Sequence, residues 1–259
     1  MTIDVERWTD YLIEATDERR AVAPITDTEP GLSLDDAYAI QDAVLARRLA
    51  SGRRVVGAKL GLTSVAKQVQ MGVASPVFGW LTDDMVLAAD GCVTLDEVIH
   101  PRVEPEIVFH LGEELAGPGI THHDVLDAAD WVTCGLEVID SRYEDFRFTL
   151  PDVVADDTSA SRFVLGTNRI SPDATPLDLL GVLLEVGPDL RETAAGAACL
   201  GHPAAAVAAL ANWVGGRGRT LEAGWVVLSG GLTAAVPLAA DVPVRATFAH
   251  LGTVAARGI

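Results

Sequence analysis

Positive charge is scarce in this chain of 259 residues: nineteen Lys and Arg stand against thirty-seven Asp and Glu, a net charge of -18. Such a surface repels phosphate backbones and anionic lipid, so neither nucleic acid nor a membrane is an expected partner. Cysteine is almost absent. Cys92, Cys134 and Cys199 lie far apart and form no Cys-x-x-Cys pair, which excludes a disulfide framework and a zinc site of the usual spacing; buried reduced thiols are expected. No run of eighteen apolar residues occurs, and Met1 to Glu6 is acidic where a targeting peptide would be basic, so we expect a soluble, cytoplasmic protein. Gly-x-Gly-x-x-Gly, the Walker loop, Gly-x-Ser-x-Gly and His-Glu-x-x-His are all missing, which argues against dinucleotide, nucleoside triphosphate, serine hydrolase and zincin chemistry. Lysine is the rarest charge: Lys59 and Lys67 stand beside seventeen Arg. A Lys kept among so many Arg draws notice, because its compact charge shifts pKa readily on burial.

What is present is apolar substance: 49% hydrophobic residues against 22% charged, enough for a large core and incompatible with disorder. Val5, Trp8 and Leu12 recur at helical spacing, and Ser33 with Asp36 caps a second helix through Ala37, Ile40, Val44 and Leu49, closed by Gly52. A strand is predicted over 54–60, a short helix over 64–71 stopped by Gly72, and a loop around Pro76 and Gly79. Strand-length runs then follow at 85–87, 103–111, 132–139, 162–165, 179–186, 225–229 and 244–250. Helices interrupt them at 122–129, with Thr121 as cap, and at 203–214, with Pro in the first turn. The predicted class is α+β: a helical N-terminal region over 1–80 packed on a β-rich core over 81–259, with no linker between them and hence one folding unit.

Carboxylates carry the chemical signal. In the run Arg102-Val103-Glu104-Pro105-Glu106, residues two apart on a strand share a face, so Glu104 and Glu106 project together with Cα atoms about 7 Å apart. Buried, the pair needs a cation or shifted pKa values; facing water at an edge, which Pro105 suits, it needs nothing. Glu137 is a lone acid in an apolar run and wants a partner, either an Arg such as Arg142 or a shared ion. Three carboxylates without a convergent His would suit Mg²⁺ or Mn²⁺ and not Zn²⁺. Asp140, Arg142, Asp152, Asp156 and Asp157 crowd one segment, which reads as an exposed loop, and the six His are scattered.

At these residues the sequence resembles the 2-keto-4-pentenoate hydratase and 4-oxalocrotonate decarboxylase family of the fumarylacetoacetate hydrolase superfamily, over almost the whole chain. The blocks that carry the resemblance are Gly57-Ala58-Lys59-Leu60-Gly61-Leu62-Thr63-Ser64, His100 to Glu106, Leu136 to Tyr143, Val154-Ala155-Asp156-Asp157, Leu200-Gly201-His202-Pro203 and Ser229 to Ala235. The resemblance implies a barrel-like mixed β-fold with a helical N-terminal part. It also implies a divalent ion, Mg²⁺ or Mn²⁺, on Glu104, Glu106 and Glu137, with Lys59 in the active site, where we expect it to be catalytic; Ser161, in the segment after the Ala-Asp pair, and Arg142 are the residues expected to contact substrate. A homo-oligomer is implied too, with a possible complex with a 2-keto-4-pentenoate hydratase.

Within the family the decarboxylase branch fits better, acting on the 2-oxo dicarboxylic acid 2-oxo-3-hexenedioate in meta-cleavage degradation of aromatic compounds. Thr63 to Lys67, Gln70 to Val73 and Asp140 to Phe148 resemble decarboxylases, and Pro76-Val77-Phe78-Gly79 stands where hydratases commonly read Pro-Asp-Phe-Gly. One departure from both branches is Asp157, where Asn is usual. The alternatives are a hydratase acting on 2-hydroxypenta-2,4-dienoate and, more remotely, a non-catalytic scaffold partner of such an enzyme.

Overall fold

The computed structural model describes residues 3–64, 68 and 76–259. Most of the helix expected over 64–71, and the stretches around Lys67 and Gln70 to Val73 that resemble decarboxylases, lie outside the described residues.

Three helices open the chain. In α1 (Val5–Asp17) Asp4 caps by accepting from the Arg7 N–H, and Trp8, Leu12 and Ala15 turn inward. A short α2 (Ile25–Thr28) leads to α3 (Leu34–Ala50), where Ser33 and Asp36 form a reciprocal capping box. Its buried Gln41 donates to the carbonyls of Phe78 and Val154, tying the helix to the sheet beneath. Later come α4 (His122–Ala128), also boxed by Thr121 and Asp124, α5 (Leu150–Ala155) and the apolar α6 (Pro203–Gly215), with eight residues buried in the core.

Twelve strands are found among the described residues: β1 (Val55–Gly61), β2 (Val77–Thr82), β3 (Cys92–Val93), β4 (Arg102–Leu111), β5 (Ala129–Ile139), β6 (Ala160–Leu165), β7 (Gly181–Val186), β8 (Asp189–Ala195), β9 (Val226–Leu228), β10 (Val236–Pro237), β11 (Val244–Phe248) and β12 (Gly252–Gly258). They form a seven-stranded sheet in the order β2-β1-β9-β4-β5-β6, with β10 also on β4, and a five-stranded sheet in the order β3-β12-β11-β7-β8. The larger sheet is antiparallel except where β1 lies parallel to β9. It curls into a half-barrel. The chain leaving β2 meets the opposite edge, where the Leu87 N–H donates to the Phe163 carbonyl on β6 at 2.8 Å.

Three local expectations change. Residues 77–82 are a buried strand and not a loop, because Gly79 pairs with Lys59 in register and leaves room for the Asp157 backbone, which a Cβ there would strike. Residues 85–87 are not a strand: a 3₁₀ turn covers Asp83–Met85, and Val86 makes only a bridge to Phe163. Cys92 is half-buried, while Cys134 and Cys199 are buried, and all three are free thiols. The expected division between residues 80 and 81 falls inside β2.

Candidate active site

Strand register and sheet curvature assemble the site. Glu104 on β4 faces Glu137 on β5 directly, and Glu106 faces Gly135, so all three acids point to one side of the sheet. Lys59 reaches the same side from β1, through Leu228 on β9, which in turn pairs with Val108 on β4. The three carboxylates offer ligand atoms that all lie within 4.8 Å of one another. Glu106, Glu137 and Lys59 are buried, at 0%, 0% and 2% exposure.

Each acid is held differently. Glu106 Oε2 accepts from the Gly230 N–H at 2.6 Å, while its Oε1 is buried without a hydrogen-bond partner. Glu137 Oε1 lies 3.0 Å from Lys59 Nζ, which also donates to the Thr158 carbonyl at 3.0 Å; Glu137 Oε2 has no partner. Gly231 backs Glu104 so closely that a Cβ would strike its carboxylate. Burial first, and then the Glu137 charge, push the Glu106 carboxyl well above its ordinary range. Burial opposes the charge on Lys59, but the three carboxylates outweigh it and the amine is an ammonium. Among the described residues, three carboxyl groups converge with one ammonium, and Glu106 Oε1 and Glu137 Oε2 are buried without a hydrogen-bond partner. An all-oxygen donor set of this kind fits a hard divalent cation.

Arg142 does not join them. It is buried in a clamp, its Nε on Asp156 Oδ1 and its Nη2 on the Asp156 carbonyl, with Nη1 on the carbonyls of Asp140 at 2.8 Å and Ala160 at 3.1 Å. Burial opposes its charge, yet Asp156 and Asp140 raise its pKa, so the pair is ionic. These bonds take four of the five guanidinium N–H groups. Ser161 is buried on β6, two residues from Phe163, the register partner of Glu137, and lines a small cavity together with Arg142 and Asp157.

The charge-rich segment expected as an exposed loop is instead internal: Asp140, Arg142, Asp152 and Asp156 are all under 9% exposed. Asp152 accepts from the N–H and hydroxyl of Thr26, and from Thr149, stitching α5 to α2. Sequence reasoning assigned no role to Gly230 or to the Thr158 carbonyl, because backbone donors and acceptors leave no residue-type signature; only the Ser229 to Ala235 block hinted at the first. His122, His123 and His202 come together, with ring centroids 3.9 Å apart for the first two and 5.5 Å for His122 and His202.

Known proteins bear on the arrangement. The chain is 42% identical over 238 residues to a 4-oxalocrotonate decarboxylase of Pseudomonas sp. (strain CF600), covering 92% of this chain and 90% of that protein. It is 44% identical over 221 residues to a 2-keto-4-pentenoate hydratase of Paraburkholderia xenovorans (strain LB400), covering 85% and 82%. The chain belongs to the 4-oxalocrotonate decarboxylase and 2-keto-4-pentenoate hydratase family. A solved member of this family, the 4-oxalocrotonate decarboxylase of Pseudomonas putida G7 complexed with magnesium and adipate, superposes with a TM-score of 0.95 at 40% identity, covering 98% of this chain and 97% of that one. The fold extends further, to a fumarylpyruvate hydrolase of Pseudomonas aeruginosa at a TM-score of 0.61 and 14% identity, covering 78% of this chain and 88% of that one. No family model matches the chain.

Proposed function

We propose that this protein is a divalent-metal-dependent carboxy-lyase that converts 2-oxo-3-hexenedioate (4-oxalocrotonate) to CO₂ and 2-hydroxypenta-2,4-dienoate in meta-cleavage degradation of aromatic compounds. The observation that carries the decarboxylase reading over the hydratase one is Val77. It pairs with Gly61 two residues along β2 from the Gly79–Lys59 pair, and so stands on the Lys59 side of the sheet where hydratases commonly have Asp. An apolar side chain there cannot handle the water that hydration requires.

Glu104, Glu106 and Glu137 would hold Mg²⁺ or Mn²⁺, which supplies Lewis-acid stabilisation of negative charge on the 2-oxo group. When the C5–C6 bond breaks, its electrons form the C4–C5 double bond, the C3–C4 double bond moves to C2–C3, and the keto oxygen becomes an enolate oxygen that then takes a proton. Lys59, pinned between Glu137 and the Thr158 carbonyl, presents a fixed positive charge toward that oxygen. Leu81, Met85, Val108, Phe163, Val226 and Leu228 form a separate apolar cluster on this side of the sheet. They make a surface that favours neutral CO₂ over a carboxylate. The acting unit is a cytoplasmic homo-oligomer, able to associate with a hydratase that consumes the dienol, and the N-terminal helices and β-rich core fold together.

The deciding experiment incubates pure protein with 2-oxo-3-hexenedioate and, separately, with 2-hydroxypenta-2,4-dienoate, each with and without EDTA. CO₂ release that EDTA abolishes is expected from the first; formation of a 4-hydroxy-2-oxo acid from the second would make it a hydratase.

A further inference from the structure

The face of β4 that carries the acids changes character along its length. Alternate residues on that face are Arg102, Glu104, Glu106 and Val108. Arg102 and Glu104 are half-buried while Glu106 and Val108 are wholly buried, so the series runs inward from a partly exposed end. Pairing with β5 is unbroken over this stretch, from Arg102 opposite Ile139 to Val108 opposite Thr133, which keeps the four side chains on one side. A cation, two candidate ligand acids and an apolar residue therefore stand in line, each about 7 Å from the next.

Arg102 forms neither an ion pair nor a side-chain hydrogen bond among the described residues, although acids outnumber bases thirty-seven to nineteen. Its guanidinium carbon lies instead 4.1 Å from the centre of the Phe146 ring. A ring contact of this kind places the charge without consuming any of its five N–H donors. The ring is itself braced. Asp145 and Phe146 take left-handed φ of 57° and 56°, which in residues other than glycine persists only where the surroundings over-determine it. The Glu144 N–H donates to the Val22 carbonyl at 3.0 Å, and Arg147 pairs with Asp27 at 2.8 Å. Phe146 also packs on the His100 ring at 4.7 Å, and His100 Nε2 lies 2.8 Å from the Ser141 carbonyl.

We propose that Arg102 binds the C1 carboxylate of a 2-oxo acid and so sets the orientation of the substrate, with C1 at Arg102, the 2-oxo group at the Glu104 and Glu106 cluster, and the C6 carboxylate inward against Val108 and Phe163. The order of groups along the substrate then matches the order along the strand. Val108 and Phe163 belong to the apolar cluster, and Phe163 is the register partner of Glu137. The reverse orientation would put the departing carboxylate on a guanidinium, which stabilises the charge that loss of CO₂ has to remove and so slows the reaction. The placing of C6 rests on the decarboxylase reading above; recognition of a 2-oxo carboxylate by Arg102 does not.

Two ligands that lack the conjugated double bond separate the ends: 2-oxoadipate carries both carboxylates, and 2-oxohexanoate has the same length with only the C1 carboxylate. In calorimetry on Mn²⁺-loaded protein, Arg102→Met should weaken both by about 10- to 100-fold, the range for a hydrogen-bonded charge, with Mn²⁺ affinity unchanged. Arg102→Lys, which keeps the charge and loses the planar fork, should recover part of that loss, and Phe146→Leu should cost both ligands about two- to fivefold. Unchanged binding of both ligands by Arg102→Met overturns the proposal, as does a wild type that binds neither. A loss confined to 2-oxoadipate also overturns it, because Arg102 would then hold the far carboxylate. Should Arg102→Met lose Mn²⁺ as well, Arg102→Lys decides: its affinity for both ligands has to fall while its Mn²⁺ affinity holds. A wild type that binds both ligands and releases no CO₂ sinks the decarboxylase reading, and the same binding series still decides the role of Arg102.

Discussion

Lys59 Nζ lies 3.0 Å from Glu137 Oε1 although β1 and β5 are separated by β9 and β4. In a flat sheet three strand spacings would hold these backbones roughly 14 Å apart. Curvature closes the gap and sets an ammonium at the edge of a carboxylate cluster.

Replacing Lys59 by Met should separate binding from turnover. We expect kcat to fall by about 10²-fold or more while bound Mn²⁺ stays stoichiometric, since the three carboxylates are untouched. Steady-state kinetics with metal analysis on the same preparation checks this; unchanged kcat would remove Lys59 from the reaction.

Glu106→Gln strikes the ion directly. Titration calorimetry with Mn²⁺ should show a loss of affinity larger than the roughly 10–100-fold that follows changes outside the ligand shell. In the wild type, adding the ion at about 100 times its Kd should stabilise the fold by about 2.7 kcal/mol, a gain that Glu106→Gln should lack.

Arg142→Met tests the clamp. Removing the guanidinium strands Asp156 as an uncompensated buried charge, which costs about 3–5 kcal/mol. Denaturant melts should show that loss, and KM of the folded fraction should stay near the wild-type value. A raised KM at normal stability would return Arg142 to the substrate.

Stability should carry the mark of Asp157. Its folded pKa of about 7 exceeds that of an unfolded Asp, about 3.9, so between those values the folded state holds a proton that the unfolded chain has released. The stabilisation is complete below about pH 4 and is lost as pH rises through about 7. Asp157→Asn removes that decline, so its urea midpoint should gain on the wild type between pH 5 and pH 8.

Local chemistry was readable where it is local. The capping boxes at Ser33 and Thr121, the Pro203 helix start and the alternation of β4 follow from neighbours a few residues away, and the structure has them. The strand β8 was not readable: Asp189–Ala195 is almost wholly exposed, has no apolar alternation, and is held by pairing with β7. Burial of the acids at 140, 152 and 156 was misjudged for a related reason. A charge is tolerated inside according to partners that arrive from elsewhere, as Thr26 does for Asp152 across 126 residues.

By itself, then, the sequence determined the family, the α+β class and the pairing of Glu104 with Glu106 on one strand face, because side-chain alternation is a property of the strand alone. Only the tertiary structure decided that Glu137 and Lys59 join them, that Arg142 is withdrawn into a clamp, and that the Thr158 carbonyl supports the lysine. Those outcomes depend on sheet curvature and on backbone groups brought from distant segments, and neither is written in any local run of residues.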